Sequence, residues 1–125
     1  MFITYDEHGG LYDHVVPPKA CPPGDRPTDA TTAEIFASYG VRVPFFVVSP
    51  FAKKGYVSHR TYDHTSIVRF VESRFVLPAL TARDANAEAP WDVFDFEHPP
   101  TPNAPNVPDQ PIDEAIVSAC KAVFE

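Results

Sequence analysis

The feature that most constrains the fold is a continuous apolar run, Phe45-Phe46-Val47-Val48, set between Pro44 and Pro50. The run does not alternate apolar and polar residues, which is typical of a strand covered on both faces in a parallel sheet. The prolines mark its ends, because proline cannot donate to a sheet ladder. A second β-prone run, Phe2–Tyr5, lies far upstream, so the two strands need a long connection. The sequence therefore predicts an α/β fold with a short, mostly parallel sheet.

Flanking helices and long proline-rich loops are predicted for most of the remaining chain. Apolar residues at spacings of three and four predict a helix over Thr65–Phe75, with Asp63 as its N-cap. The six prolines within residues 99–111 predict an extended tether. The segment 112–125 follows with one apolar helical face, which we expect to dock on the core or on another chain. We therefore divide the chain into a domain over residues 1–98, the tether and the C-terminal helix.

Acidic and imidazole side chains follow the first strand where it ends. Asp6 and Glu7 come directly after the strand, and Gly9-Gly10 lets the backbone leave strand geometry. Neighbouring carboxylates need that departure to reach one ion, since adjacent strand residues point to opposite faces. Carboxylates suit Mg, Ca or Mn, whereas the imidazoles of His8 and His14 favour Zn. The spacing alone fits a metal site and a solvated polar turn equally well.

Three stretches resemble, in order and spacing, motifs of the phosphoesterase family that contains bacterial phospholipase C and acid phosphatase A. They are Tyr5–Pro18, Gly40–His59 and Tyr62–Glu72. The resemblance covers most of residues 2–96 and only the C-terminal portion of the family's proteins. The family's early Glu-Asn metal-binding pair and its nucleophile have no counterpart here. The resemblance implies a partial alkaline-phosphatase-like layer that hydrolyses phosphate esters with a bound metal.

The same resemblance implies roles for particular residues. Asp6 and Glu7 align with the family's late acidic metal-ligand pair, so we expect them to bind a divalent ion (Ca, Mg, Mn or Zn). His64 aligns with a late active-site histidine, and we expect His64 and His8 to be catalytic. An N-cap at Asp63 would place His64 and the next two amides at the positive end of a helix, where a phosphate oxygen binds well.

The middle of the chain carries an excess of positive charge. Between residues 53 and 83 there are six basic side chains and two acidic ones. Lys53, Lys54 and His59 are the predicted substrate-binding residues, because basic side chains attract a phosphate ester or a phospholipid headgroup. Solvated loop residues would give the same pattern.

Composition limits the remaining possibilities. A net charge of −7 argues against nonspecific nucleic-acid binding. No apolar stretch approaches the ~20 residues of a membrane span, and no export signal precedes the first strand, so we expect a soluble chain. Localisation stays open, because the family is often exported in bacteria. The isolated pair Cys21 and Cys120 favours two unpaired thiols over a single bridge.

The predicted function is metal-dependent hydrolysis of phosphate esters, of phospholipase C or phosphatase type, in a truncated form with weak or no activity alone. One alternative is a non-catalytic binding or oligomerisation fragment. Another is a carboxylester hydrolase, which no motif supports. A sheet edge left without a neighbour favours a homodimer.

Overall fold

A two-stranded sheet, a long helix and several short elements make up the domain. The computed structural model describes residues 1–25, 34–98, 100–101, 103, 106–109 and 111–124. Its elements in chain order are β1 (Phe2–Thr4), β2 (Phe45–Val47), α1 (His64–Phe75), α2 (Ala82–Ala85), a 3₁₀ turn (Trp91–Val93) and α3 (Glu114–Phe124). The mixed α/β class is therefore confirmed. The predicted division into domain, tether and C-terminal helix stays a prediction.

The two strands run antiparallel, so the prediction of a parallel pairing is wrong. Phe2 pairs with Val47 and Thr4 with Phe45. The chain leaves β1 at Thr4 and enters β2 at the position facing Thr4, so the connection begins and ends at one end of the sheet. A parallel pair would need a crossover that returns the chain to the opposite end.

Only one face of this sheet is covered. The side chains of Ile3, Phe46 and Val48 on the outer face are 43%, 58% and 51% exposed. Phe2 and Phe45 on the inner face are half-buried. The continuous apolar run of β2 thus follows the alternation of a strand packed on one side, although its residues do not alternate in polarity.

An aromatic cluster lies beneath the inner face, although none of its rings is fully buried. Phe70 of α1 packs edge-on against Phe2 and stacks near Trp91, with ring centroids 5.0 Å and 4.4 Å apart. Phe94 lies 5.5 Å from Phe70 and 5.4 Å from Phe96. The segment after residue 90 therefore packs back onto the strands, as its aromatic composition predicts. Such ring pairs add to the free energy gained by area burial alone.

Helix α1 begins one residue before the predicted start and ends at the predicted residue. Asp63 is its N-cap and forms a capping box with Ser66. The chain leaves the helix at Val76, which has a left-handed backbone with φ of 55°. The carboxylates of Glu72 and Asp84 are buried between α1 and α2.

The C-terminal helix keeps its apolar side open. Ile116 is 69% exposed and Ile112, just before the helix, is 71% exposed. Docking of this helix on another chain stays a prediction. Cys21 is a free thiol, as predicted, whereas the side chain of Cys120 lies outside the described residues. Within the described ranges, no helix is both long and apolar enough to cross a membrane.

Candidate functional site

A cavity of about 330 Å³ opens where β1 ends and α1 begins. Its wall contains four of the predicted site residues, Asp6, Glu7, His8 and His64. The volume is at the lower end of the range for small-molecule sites. Side chains from the β1 exit and from the start of α1 therefore meet in one place, although almost sixty residues separate them in sequence.

The carboxylates of Asp6 and Glu7 are uncommitted. Both residues are exposed, and neither side chain has a hydrogen bond or ion pair to any described residue. Free carboxylate oxygens fit the shell of a hard divalent cation. Among the described residues, however, no group of three candidate ligands comes together. Asp6 and Glu7 thus fit one side of a metal site, with the other ligands left to water or to further protein groups.

His64 is fixed by the strand that precedes the two carboxylates. Its Nε2 lies 2.8 Å from the carbonyl oxygen of Tyr5. A carbonyl oxygen only accepts hydrogen bonds, so Nε2 carries the proton. Nδ1 is then the nitrogen that can bind a ligand or exchange a proton with it. The bond joins the first helical turn of α1 to the residue immediately before Asp6.

His8 is held in a tight turn. Its Nδ1 donates to the carbonyl oxygen of Leu11 at 3.2 Å, and the amide of Leu11 donates back to the carbonyl of His8 at 3.0 Å. The side chain is half-buried and keeps Nε2 free. Gly9 and Gly10 both have positive φ, at 63° and 75°, which makes the turn possible.

The start of α1 is less open to phosphate than predicted. The amide of Ser66 donates to the Asp63 side chain at 3.1 Å, so the capping carboxylate already occupies this donor. Asp63 in turn lies 3.6 Å from the guanidinium of Arg83. Its charge is thereby paired, and the unpaired acids of the cavity are Asp6 and Glu7.

The three predicted substrate-binding residues lie elsewhere. Lys53 lines a separate groove of about 590 Å³ along β2, where its ammonium sits 4.9 Å above the ring of Tyr56. Lys54 and His59 are exposed and line neither cavity. The structure therefore does not bring these three residues to Asp6 and Glu7, and their role stays a prediction.

Sequence reasoning missed an arginine in the cavity wall. The Arg42 side chain makes two hydrogen bonds to Asp13, Nε to Oδ2 and Nη2 to Oδ1, each of 2.8 Å. The bond from Arg42 is the largest cause that holds the pKa of Asp13 well below its usual range. The signal was available in sequence, since both residues lie within motifs of the family resemblance, but nothing local pairs them.

A second carboxylate fixes the wall between the two cavities. Asp92 accepts hydrogen bonds from the hydroxyls of Tyr56, Ser58 and Tyr62, at 2.9 Å and 2.6 Å for the first two. Burial and the bond to Asp92 raise the pKa of Tyr62 to about 12. These bonds tie the loop before α1 to the 3₁₀ turn.

The fold is a small mixed α/β unit with a cavity between the end of β1 and the start of α1. A sequence model of the phosphoesterase family matches residues 1–78. The chain belongs to the phosphoesterase family. Among solved structures, none matches it significantly.

Several phospholipases C are similar to this chain. "Phospholipase C B" of Mycobacterium tuberculosis is 38% identical over 121 residues, which cover 86% of this chain and 23% of the relative. "Non-hemolytic phospholipase C" of Burkholderia pseudomallei is 47% identical over 89 residues, covering 60% of this chain and 12% of the relative. "Non-specific phospholipase C1" of Arabidopsis thaliana is 38% identical, with 84% and 22% covered. The chain thus spans less than a quarter of these relatives.

Proposed function

We propose that this chain contributes the metal-binding and acid–base side of a phosphate-ester hydrolysis site of the phospholipase C type. One observation carries the proposal, namely that the free carboxylates of Asp6 and Glu7 line the same cavity as His64. Family membership and the phospholipase C relatives support a phosphate ester or phospholipid as the substrate. We further propose that the sheet belongs to a larger alkaline-phosphatase-like layer, in which its open apolar face is covered.

The side chains divide the chemistry between them. Asp6 and Glu7 would hold a divalent ion, which would supply positive charge to the phosphoryl oxygens of the ester. His64, anchored through its Nε2–H, takes up a solvent proton at Nδ1 and, as the imidazolium, donates that proton to the leaving alcohol. His8 presents a free Nε2 at the same wall and acts as a second proton-transfer group.

An in-line nucleophile is also needed for hydrolysis. Among the described residues, no group of three potential metal ligands comes together. We therefore propose that the activity of this chain alone is weak or absent, and that further protein groups complete the site in longer relatives.

Hydrolysis assays with metal control test the proposal. The purified chain is incubated with p-nitrophenyl phosphate, p-nitrophenyl phosphorylcholine and a p-nitrophenyl acyl ester, with Mg, Ca, Mn or Zn and with EDTA. Where turnover is measurable, we expect it to disappear with EDTA and to fall about 100-fold in Asp6→Asn. Glu97→Gln, which removes an exposed carboxylate outside the cavity, is the matched control and should leave the rate unchanged.

Metal titration by calorimetry separates the possible failures. Metal binding that is lost in Asp6→Asn, without turnover, would support the metal site and agree with a chain that is inactive alone. Absence of both would sink the proposed function. Cleavage of the acyl ester alone would identify a different hydrolase.

The open sheet face favours a second function, in binding or oligomerisation. Ile3 of β1, its pairing partner Phe46 of β2 and Val48 just after β2 are all exposed. Exposed apolar patches on sheets mark surfaces that associate with other polypeptides. This function requires no chemistry at Asp6 and is compatible with the absence of turnover.

A further inference from the structure

The cavity needs a positive group that sequence reasoning did not supply. A phosphate ester carries negative charge, and Asp6 and Glu7 bring two unpaired carboxylates to the same wall. Arg42 is the only lysine or arginine among the described residues that line this cavity. Lys53 and Lys54 lie outside it.

The Arg42 side chain is held from one side. Asp13 accepts hydrogen bonds from Nε and Nη2 of Arg42, at 2.8 Å each, and from the backbone amide of Arg42 at 3.1 Å. The same carboxylate accepts a hydrogen bond from the amide of Val15 at 3.0 Å, and this bond fixes the position of the Asp13 side chain. The Asp13 side chain is only 8% exposed, so this support is rigid and shielded from solvent.

The other side of the guanidinium is unused. Nη1 makes no hydrogen bond to any described residue, and the side chain as a whole is 62% exposed. A carboxylate that orients an arginine through Nε and one terminal nitrogen leaves the remaining N–H donors available for the oxygens of a phosphate. Because Asp13 already restricts the rotamers, binding an anion costs little further conformational entropy.

We propose that Arg42, positioned by Asp13, binds a phosphoryl oxygen of the substrate in the cavity that contains Asp6 and Glu7. The inference rests on the proposed function and names the anion-binding residue of that site. It replaces the predicted assignment of substrate binding to Lys53, Lys54 and His59. Its direct consequence is that inorganic phosphate, the shared chemical group of all the candidate substrates, contacts Arg42.

Phosphate binding is measured directly on the full chain. Calorimetric titration with inorganic phosphate is run with Mg²⁺ and with EDTA, and KM and kcat for p-nitrophenyl phosphate are measured where turnover exists. We expect Arg42→Gln to weaken phosphate binding at least about tenfold and to raise KM, since a charge-assisted bond is lost. Arg42→Lys should recover binding only in part, because lysine lacks the planar fork.

Two controls locate the effect. Arg74→Gln removes an exposed arginine that lies outside the cavity, near the end of α1, and should leave phosphate binding unchanged. The double variant Lys53→Gln with Lys54→Gln tests the competing assignment. A loss of phosphate binding in this double variant but not in Arg42→Gln would overturn the proposal.

A measurement on the chain without substitutions avoids the risk that a variant misfolds. Phenylglyoxal reacts with accessible arginines, and mass spectrometry reports the extent of reaction at Arg42. We expect phosphate, but not an equal ionic strength of chloride, to slow modification of Arg42 while leaving Arg74 unaffected. Unchanged modification of Arg42, or no phosphate binding under any condition, would overturn the proposal. A chain that binds phosphate through Arg42 yet binds no metal at Asp6 and hydrolyses nothing would refute only the proposed function.

Discussion

Two acidic residues, Glu72 on α1 and Asp84 on α2, are among the most deeply buried residues of the described chain. The carboxylate of Asp84 has hydrogen-bond partners, since it accepts hydrogen bonds from the amide of Leu80 at 2.7 Å and from the hydroxyl of Thr81. Glu72 accepts no hydrogen bond from any described donor, and Arg69 stands 3.9 Å away. A protonated Glu72 can instead donate to Asp84, which removes one of the two buried charges.

The pKa values of the two carboxyl groups are shifted in opposite directions. Burial, together with the hydrogen bond and the negative charge of Asp84, raises the pKa of Glu72. Burial alone would raise the pKa of Asp84, but its hydrogen bonds, led by that from Thr81, lower the pKa to about 2. At pH values above about 4.3, the ordinary pKa of a glutamate, folding is therefore accompanied by proton uptake at Glu72. The contribution of Glu72 to the free energy of unfolding falls as the pH rises through its raised pKa. The contribution of Asp84 is lost only as the pH falls towards 2.

Replacing Glu72 by glutamine should stabilise the protein at neutral pH. Glutamine is always neutral and can donate to Asp84 with nearly the same shape, so the cost of a buried charge is removed. We expect Glu72→Gln to raise the unfolding temperature at pH 7 and to leave it nearly unchanged at pH 4. Thermal denaturation followed by circular dichroism measures both, with the exposed Glu97→Gln as the matched control. Equal effects at the two pH values would show that Glu72 does not titrate with folding.

At the scale of elements, the end of α1 carries an unfavourable residue. Val76 has φ of 55° and ψ of 45°, a left-handed conformation that β-branched residues rarely adopt. Its amide donates to the carbonyl of Glu72 and closes the helix. The side chain is 91% exposed, so it gains little from packing.

Glycine at this position should stabilise the helix end. Val76→Gly relieves the left-handed strain, and we expect a gain of about 1 kcal/mol in the free energy of unfolding. Urea denaturation measures the change. Val16→Gly is the matched control, because Val16 is similarly exposed and has no positive φ, so glycine there should be neutral or destabilising. A loss of stability in Val76→Gly would mean that the valine contributes contacts outweighing the strain.

The elements differ in how far sequence could predict them. Helix α1 was predicted to within one residue because its signals are local, namely the cap at Asp63 and apolar residues three and four apart. The direction of β2 was predicted wrongly because it depends on where the chain from residue 5 to 44 returns, which no local pattern encodes. The apolar run of β2 indicated two covered faces, whereas the described fold covers one.

At the scale of the whole molecule, the open face of the sheet is the most unusual feature. Ile3, Phe46 and Val48 lie side by side on it, and no described element packs over them enough to bury them. A two-stranded sheet needs further packing for stability. Association through this face would supply that packing, so the predicted homodimer remains open to test.

Weakening the apolar face should weaken self-association. Phe46→Thr keeps a β-prone residue but removes the aromatic ring of this face, and we expect any dimer to dissociate at least about tenfold more readily. Sedimentation velocity over a range of concentrations measures the effect. Phe75→Thr, at a comparably exposed ring on α1, should not change the distribution. A monomer at every concentration would remove the dimer prediction.

The candidate site was predicted in part. The end of a strand and the family resemblance gave Asp6, Glu7 and His64, and these do meet in one cavity. Arg42 was missed because it reads as the polar flank of an apolar strand, and its partner Asp13 lies 29 positions away. Lys53 and Lys54 were predicted to bind substrate because basic residues are frequent in that part of the sequence. The density of charge along a sequence does not indicate which cavity a loop faces.

The hydrogen bond from His64 to Tyr5 has a consequence for mutational genetics. It joins positions 59 residues apart, at the two segments that form the cavity. Losing the His64 side chain would release the backbone that presents Asp6 and would also remove an imidazole. In a saturation-mutagenesis screen, substitutions at His64 should therefore show epistasis with substitutions around Tyr5. A null phenotype at His64 reports on both the scaffold and the chemistry, and pairwise variants are required to separate them.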